Sequence, residues 1–275
     1  MTIDNTVLVL GGTGKTGRRV VERLTKRDVP VRVGSRSGTP PFDWENSPTW
    51  ASVLQDVGAV YITYQPDLGA PGAAEAVSAF AELAVASGVR RAVLLSGRNG
   101  GEAQRSEQVF QDSGLEWTIV RAGWFDQNFS EGFLLGPVLG GEVALPVGDV
   151  PEPFIDADDI ADVVVAVLTE EGHAGQVYEL TGPRLLTFAE AVAEIAVASG
   201  RDVRFVQLSL EQYNSGLKAA QVPDTVVRLL NYLFTTVLDG RNAYLTDGVQ
   251  RVLGRKPRDF AEYARATAAT GVWTA

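Results

Sequence analysis

Val7-Leu-Val-Leu-Gly-Gly-Thr-Gly-Lys-Thr-Gly-Arg18 is the stretch that decides the fold. Its four leading apolar residues show no polar alternation and read as a strand buried on both faces, and the pattern from Lys15 to Lys26 is helical. Between them Gly11, Gly14 and Gly17 stand three apart. A tight turn needs a residue free of Cβ at Gly11. Close approach of a pyrophosphate needs one at Gly14, and close helix-to-strand packing needs one at Gly17. The N–H groups that open the helix then face a phosphate. The stretch predicts dinucleotide binding, and its alternative is a glycine-rich turn that holds no ligand. A P-loop is disfavoured, because Gly14-Lys15-Thr16 lacks the earlier glycine spacing and sits in a shorter loop.

Outward from this turn, short apolar runs alternate with helical patterns. Strands are expected at Pro30–Val33, Ala59–Thr63, Arg91–Leu95, Trp117–Arg121, Val177–Leu180 and Val203–Val206. Helices are expected at Ala73–Ala86, Gln104–Gln111, Ala157–Leu168 and Phe188–Ala198. Alternation of this kind is the signature of βαβ units, and it predicts an α/β fold, a Rossmann-type doubly wound parallel sheet. Residues 1–150 are expected to form the dinucleotide-binding domain, with 154–182 returning to its sheet. Residues 183–275 are expected to form a smaller, mostly helical region that covers the substrate. Asp156 suits a helix N-cap, with Asp158 and Asp159 in the first turn, where the helix dipole favours acids. Together with Asp162 they also permit a metal-cluster reading, which acids at a helix start do not require.

The end of the second strand selects the cofactor. An Asp or Glu there binds the ribose 2′-hydroxyl of NAD, but the chain reads Val31-Arg-Val-Gly-Ser-Arg36, with no acid. Ser35 and Arg36 suit a 2′-phosphate instead, since guanidinium binds phosphate in bidentate fashion. The alternative is a solvated loop arginine. Two more strand ends, Thr63-Tyr-Gln-Pro66 and Ser96-Gly-Arg98, fall where such sheets bind ligands, so Thr63, Tyr64, Gln65, Ser96 and Gly97 are expected beside the cofactor. Trp44 suits either the adenine or plain packing.

Composition narrows the remaining classes. Lys and Arg number 24 against 34 Asp and Glu, a formal charge of −10, so the basic footprint for nucleic acid or an anionic membrane is missing. No apolar run approaches the roughly 18 to 20 residues of a membrane span. The opening residues Met1–Thr6 do not read as a signal peptide. The chain has no cysteine, which removes disulfides and thiolate catalysis and fits a cytoplasmic location. The single histidine, His173, lies in a polar turn, leaving little for a Ser-His-Asp triad or a histidine-based metal site. No metal is expected.

Several segments together resemble the NmrA-like atypical short-chain dehydrogenase/reductases. They are the glycine turn, Ser35-Arg36, Val93-Leu-Leu-Ser-Gly97, Asp112-Ser-Gly-Leu-Glu-Trp-Thr-Ile-Val-Arg121 and Trp124-Phe-Asp-Gln-Asn128. Within that family the chain is most similar to bacterial relatives of the ergot-alkaloid festuclavine and agroclavine dehydrogenases. The resemblance implies NADP(H) held by Gly11, Thr13, Gly14, Lys15, Thr16, Ser35 and Arg36. It also implies a substrate cleft over Ser96, Trp124, Phe125 and Asn128. Trp124, Phe125, Phe129 and Phe133 suit the lining of a pocket for a flat organic substrate, or one apolar helix face through their i, i+4 spacing.

One departure bears on mechanism. Ordinary short-chain reductases use Tyr-x-x-x-Lys to deliver a proton, yet none of the seven tyrosines here is followed four residues on by lysine. Many relatives carry His or Lys in the helix before Glu107, where this chain has Gln104-Arg105-Ser106. Hydride added to a ketone makes an alkoxide that needs a proton, whereas an iminium becomes a neutral amine and a quinone delocalises its new charge. The expected activity is therefore NADPH-dependent hydride transfer to an electron-poor small molecule, by a monomer or homodimer with no catalytic acid assigned. The alternative is an NADP(H)-binding redox sensor that turns nothing over.

Overall fold

A computed structural model describes residues 6–98 and 100–274; the reading of Met1–Asn5 lies outside them. The strands, in chain order, are β1 (Thr6–Leu10), β2 (Val31–Gly34), β3 (Val57–Ile62), β4 (Arg91–Gly97), β5 (Glu116–Ala122), β6 (Glu142–Leu145), β7 (Gln176–Leu180) and β8 (Arg204–Gln207). Six of them make one parallel sheet in the order β2-β1-β3-β4-β5-β7. The chain leaves β1 to one side for β2 and to the other for β3. The turn after β1 therefore sits at the topological switch point, where doubly wound sheets take their ligands.

Alternate residues of these strands bury opposite faces. Leu8, Leu10, Val60, Ile62, Leu94 and Ile119 pack in one core with Phe80 of helix Ala73–Ala86 and Phe110 of helix Glu102–Gln111. On the other face, helix Lys15–Lys26 packs against helix Ala157–Thr169, whose buried residues include Ile160, Val163, Val164 and Val167. Burial on both faces is why these strands are short and continuously apolar.

The chain divides into two compact units at places the sequence does not mark. The first holds residues up to Ala122, Ala157–Leu180 and Asp247–Arg255, and the second holds Gly123–Asp156, Thr181–Thr246 and the residues from Lys256 onward. The boundary expected at 150 thus falls after β5, and the segment expected to return to the sheet does so only from Ala157. Asp247–Arg255, expected in the helical region, belongs to the first unit, where a Cβ on Gly248 would lie 2.2 Å from the Glu179 carbonyl oxygen. The second unit contains a small parallel sheet, β6 with β8, of which only β8 was expected. Its core is aromatic: Phe129, Phe154, Phe188 and Phe260 pack edge to face or tilted, with centroids 5.1 to 6.1 Å apart. Helix Phe188–Ser199 starts with a capping box between Thr187 and Glu190.

The four aspartates that permit a metal reading are engaged by arginine. Arg23 binds Asp158 and Asp162 at 2.7 and 2.5 Å, and Arg255 binds Asp159 and Asp162 at 2.6 and 2.5 Å. Asp156 accepts from Gln127 and Arg258 at 2.7 and 3.0 Å. No described helix is long and apolar enough to cross a membrane.

Candidate functional site

The glycine turn is built by contacts that leave no room for side chains. Gly11 adopts φ +63°, a left-handed conformation that suits glycine, and its N–H donates to the Gly34 carbonyl at 2.9 Å. A Cβ on Gly17 would lie 2.2 Å from the Gly11 oxygen and 2.7 Å from its carbonyl carbon, so helix and turn meet backbone to backbone. Thr63, just after β3, closes the turn from the other side. Its Oγ1 donates to the Leu10 carbonyl at 3.1 Å and would sit 2.3 Å from a Cβ on Gly11. Helix Lys15–Lys26 begins at Gly14 with no capping side chain and no acid in its first turn. A helix start of this kind, with its positive dipole end, favours an external anion.

Beside the turn lies a cleft of about 330 Å3. Gly11, Thr13, Gly34, Ser35 and Arg36 line one side, Thr63, Gln65 and Pro66 another, and Phe42–Glu45 a third. Arg36 is exposed and, among the described residues, forms no ion pair or hydrogen bond. Trp44 is fixed by donation from its Nε1 to the Thr63 carbonyl at 2.9 Å and by ring contacts to Tyr64, Phe42 and Phe80 at 5.0 to 5.4 Å. The cleft also holds two acids. Asp43 accepts the Glu45 N–H at 3.1 Å, while Glu45 is exposed. A glycine cradle, an uncapped helix start and an unpaired guanidinium suit a dinucleotide carrying an extra phosphate.

Residues 11–171, more than half of the chain, match the family model described as NAD(P)H-binding. The chain belongs to this NAD(P)H-binding family. It is 31% identical to the NAD(P)H azoreductase of Xenophilus azovorans over 96% of this chain and 98% of that protein. It is also 31% identical to the festuclavine dehydrogenase of Aspergillus fumigatus, over 94% and 96% of the two chains. The crystal structure of NmrA, a negative transcriptional regulator, superposes with a TM-score of 0.71 at 18% identity, covering 98% of this chain and 99% of that one. The family and these relatives make the protein an NAD(P)-dependent oxidoreductase, and its fold is that of NmrA.

In this NAD(P)H-binding protein the cleft unites Gly11, Thr13, Ser35, Arg36, Thr63 and Gln65 of the expected cofactor residues. Gly14, Lys15 and Thr16 stand at the helix start outside its lining. Thr16 is 5% exposed and its hydroxyl accepts from Tyr61 Oη at 3.0 Å, an internal bond between helix and β3. Tyr64 lies behind Trp44. Burial, then the charges of Glu45 and Glu75, push its phenol up from the ordinary value. Ser96 and Gly97 close β4; Ser96 is 5% exposed, and its Oγ is 3.5 Å from the Gly97 oxygen.

Trp124, Phe125 and Asn128 lie in the second unit. Trp124 stacks on Phe234 at 5.6 Å and meets Phe188 edge-on at 5.2 Å, while Phe125 and Asn128 are half-buried. The single helix face expected of Phe125, Phe129 and Phe133 does not form, because the helix here spans only Asn128–Glu131. Phe129 is fully buried, and Phe133, 45% exposed, leans on Trp124.

Sequence reasoning missed the charges at the carboxyl ends of β4, β5 and β7. Arg121 Nε donates to both oxygens of Glu107 at 2.9 and 3.1 Å, and its Nη2 donates to Oε2 at 2.5 Å. Arg98 Nε donates to Glu179 at 2.6 Å. The register sets Ser96 beside Arg121 and Arg121 beside Glu179. Charged residues inside otherwise apolar strands were the available signal.

Proposed function

We propose that the protein is an NADPH-dependent reductase that passes hydride to an electron-poor small organic acceptor without a Tyr-x-x-x-Lys acid. The acceptor is an iminium, a quinone or a conjugated carbonyl. The observation that carries the reading is the cleft at the glycine turn, with Arg36 unpaired among the described residues where an NAD-selective chain would place an acid. When bound, the cofactor supplies the hydride. The uncapped start of helix Lys15–Lys26 holds the pyrophosphate, and Ser35 and Arg36 hold the 2′-phosphate. Thr63 and Gln65 border the same cleft, and Trp124, Phe125 and Asn128 are assigned to the acceptor.

A positioned general acid is worth about 10²- to 10⁴-fold. A chain without the usual one is therefore suited to acceptors whose reduction does not leave a localised alkoxide. Orientation and site electrostatics supply the rate. Relatives named azoreductase and dehydrogenase support the oxidoreductase part of this reading.

The test is NADPH oxidation, followed by absorbance, against cyclic iminiums, quinones and simple ketones, with NADH as control. Turnover of iminiums or quinones but not ketones is expected. Ketone turnover at a comparable rate overturns the acid-free reading, and tight NADPH binding with no turnover replaces the reductase by a redox sensor.

A further inference from the structure

We propose that Arg121, fixed by buried Glu107, is the cation that stabilises negative charge pushed onto the acceptor by hydride transfer. The assignment rests on the reductase reading above. It narrows the acceptor to neutral conjugated carbonyls and quinones, which become anions, and away from iminiums, which lose their charge.

The placement follows from strand register. Ser96 of β4 and Arg121 of β5 are Cα partners in a parallel pair, so their side chains leave the same face. Two residues earlier on each strand, Leu94 and Ile119 lie in the core under helices Ala73–Ala86 and Glu102–Gln111. Ser96 and Arg121 therefore emerge on that face as the penultimate residues of their strands, at the carboxyl edge where open parallel sheets bind ligands.

The guanidinium is also held in one orientation. Glu107, on helix Glu102–Gln111, has a side chain only 3% exposed and grips Arg121 through both oxygens, while the Arg121 side chain keeps 29% of its surface. A carboxylate buried to that degree is stable only against a cation. Replacing such a pair by apolar residues is often neutral or stabilising, so stability alone does not call for these charges. One strand further out, Glu179 shares the face and is bound by Arg98, whose side chain is 2% exposed. The four charges alternate in sign, and among them Arg121 is the strand neighbour of Ser96.

Electron bookkeeping turns this geometry into a preference. A quinone that receives hydride gains two electrons and one proton, becomes a hydroquinone monoanion, and takes its second proton from water. The nicotinamide donor is oxidised by the same two electrons. A fixed guanidinium is worth more to that anion than to the neutral ground state, so it acts on kcat. An iminium brings a positive charge towards the same cation, and the repulsion is relieved only as hydride neutralises it, so Arg121 opposes its binding and gives no gain in kcat/KM, which is where the two acceptors differ.

The test compares the wild type with Arg121→Met, with the double variant Glu107→Gln/Arg121→Met, and with Glu179→Gln. Rates are measured with a quinone and with a cyclic iminium. In parallel, the protein saturated with NADP+ is titrated with 4-nitrophenol, whose phenolate stands in for the anionic product and reports its own ionisation by absorbance. Removing Arg121 should lower kcat for the quinone by about 10- to 100-fold, with kcat/KM falling in parallel. The iminium's kcat/KM should stay within about threefold or rise, and the lowered pKa of bound nitrophenol should return to its free value. Should the single variant fail to fold, the double variant carries the same comparison, since it strands no buried carboxylate. Equal losses of kcat/KM with both acceptors, an unchanged nitrophenol titration, or an equally large change in Glu179→Gln would each overturn the assignment. If the wild type reduces neither acceptor, the reductase reading fails, and the nitrophenol titration still decides whether Arg121 meets an anion.

Discussion

Two arginines of the first unit have opposite surroundings, and the contrast separates a group waiting for a ligand from one already oriented by the protein. Arg36 is exposed in the cleft with no described partner, whereas Arg121 is clamped by a buried glutamate. An exposed guanidinium that spends nothing on an internal ion pair keeps its donors for a phosphate. Arg36→Ala should therefore weaken NADPH binding by roughly 10- to 100-fold, the worth of one or two charge-assisted hydrogen bonds, and NADH binding by less than about threefold. Titration of each cofactor by its fluorescence measures both, and equal losses would remove the 2′-phosphate from Arg36. The first arginine was legible in the sequence because a position rule exists for it, the end of the second strand. The second was not, because its meaning depends on Glu107, 14 residues away, and on a register that places it beside Ser96.

At the scale of elements, legibility followed burial. β1, β3, β4 and β5 were readable within a few residues because strands covered on both faces must be continuously apolar, and helix Lys15–Lys26 because its glycine turn fixes the start. β6, by contrast, is Glu142-Val-Ala-Leu145 after two glycines, with its first residue exposed and its partner β8 about 60 residues away. Four residues carry too little pattern to separate such a strand from a loop. The glycines give a sharper test of which contacts matter. Gly17→Ala drives a Cβ into the Gly11 backbone at 2.2 Å, where no flexible side chain can yield. It should cost about 1 to 3 kcal/mol, lower Tm by several degrees and weaken NADPH binding, because the displaced turn is the phosphate cradle. Gly216→Ala, inside helix Leu210–Ala219 with nothing within 4 Å of the new methyl, should instead raise Tm slightly, since alanine loses less entropy in a helix. Thermal unfolding of the two variants distinguishes a glycine required by contact from one that is merely tolerated, and equal shifts would refute the close approach.

For the whole molecule the controlling quantity is an excess of acids, a formal charge of −10, distributed so that several carboxylates face arginines. Burial raises the Asp158 carboxyl, but Arg23 and Arg19 outweigh it and hold its pKa below the ordinary value. The hydrogen bond from Arg184 holds Asp259 down, against a smaller opposing effect of burial. A carboxylate whose folded pKa is depressed contributes fully above its unfolded pKa, near 3.9 for Asp, and loses that contribution as pH falls through the folded value. Asp67 works the other way, because burial raises its pKa and acid relieves a cost. Between neutrality and about pH 5 the paired acids stay ionised while mutual repulsion among excess negative charges eases, so Tm should be nearly flat. Below about pH 4 it should fall steeply as the paired carboxylates take up protons. Arg184→Gln sharpens the test. Without its main partner Asp259 keeps only the Ala261 N–H and the Arg265 charge to lower its pKa against burial, so the variant should unfold about 2 to 4 °C lower at neutral pH, a modest effect because the pair is part-exposed. Its further loss between about pH 7 and pH 3.5 should be smaller than the wild type's, since one stabilising ionisation is already weakened. A wild-type Tm indifferent to acid, or a gap between the two proteins that stays constant across that range, would mean that these ion pairs do not govern acid stability.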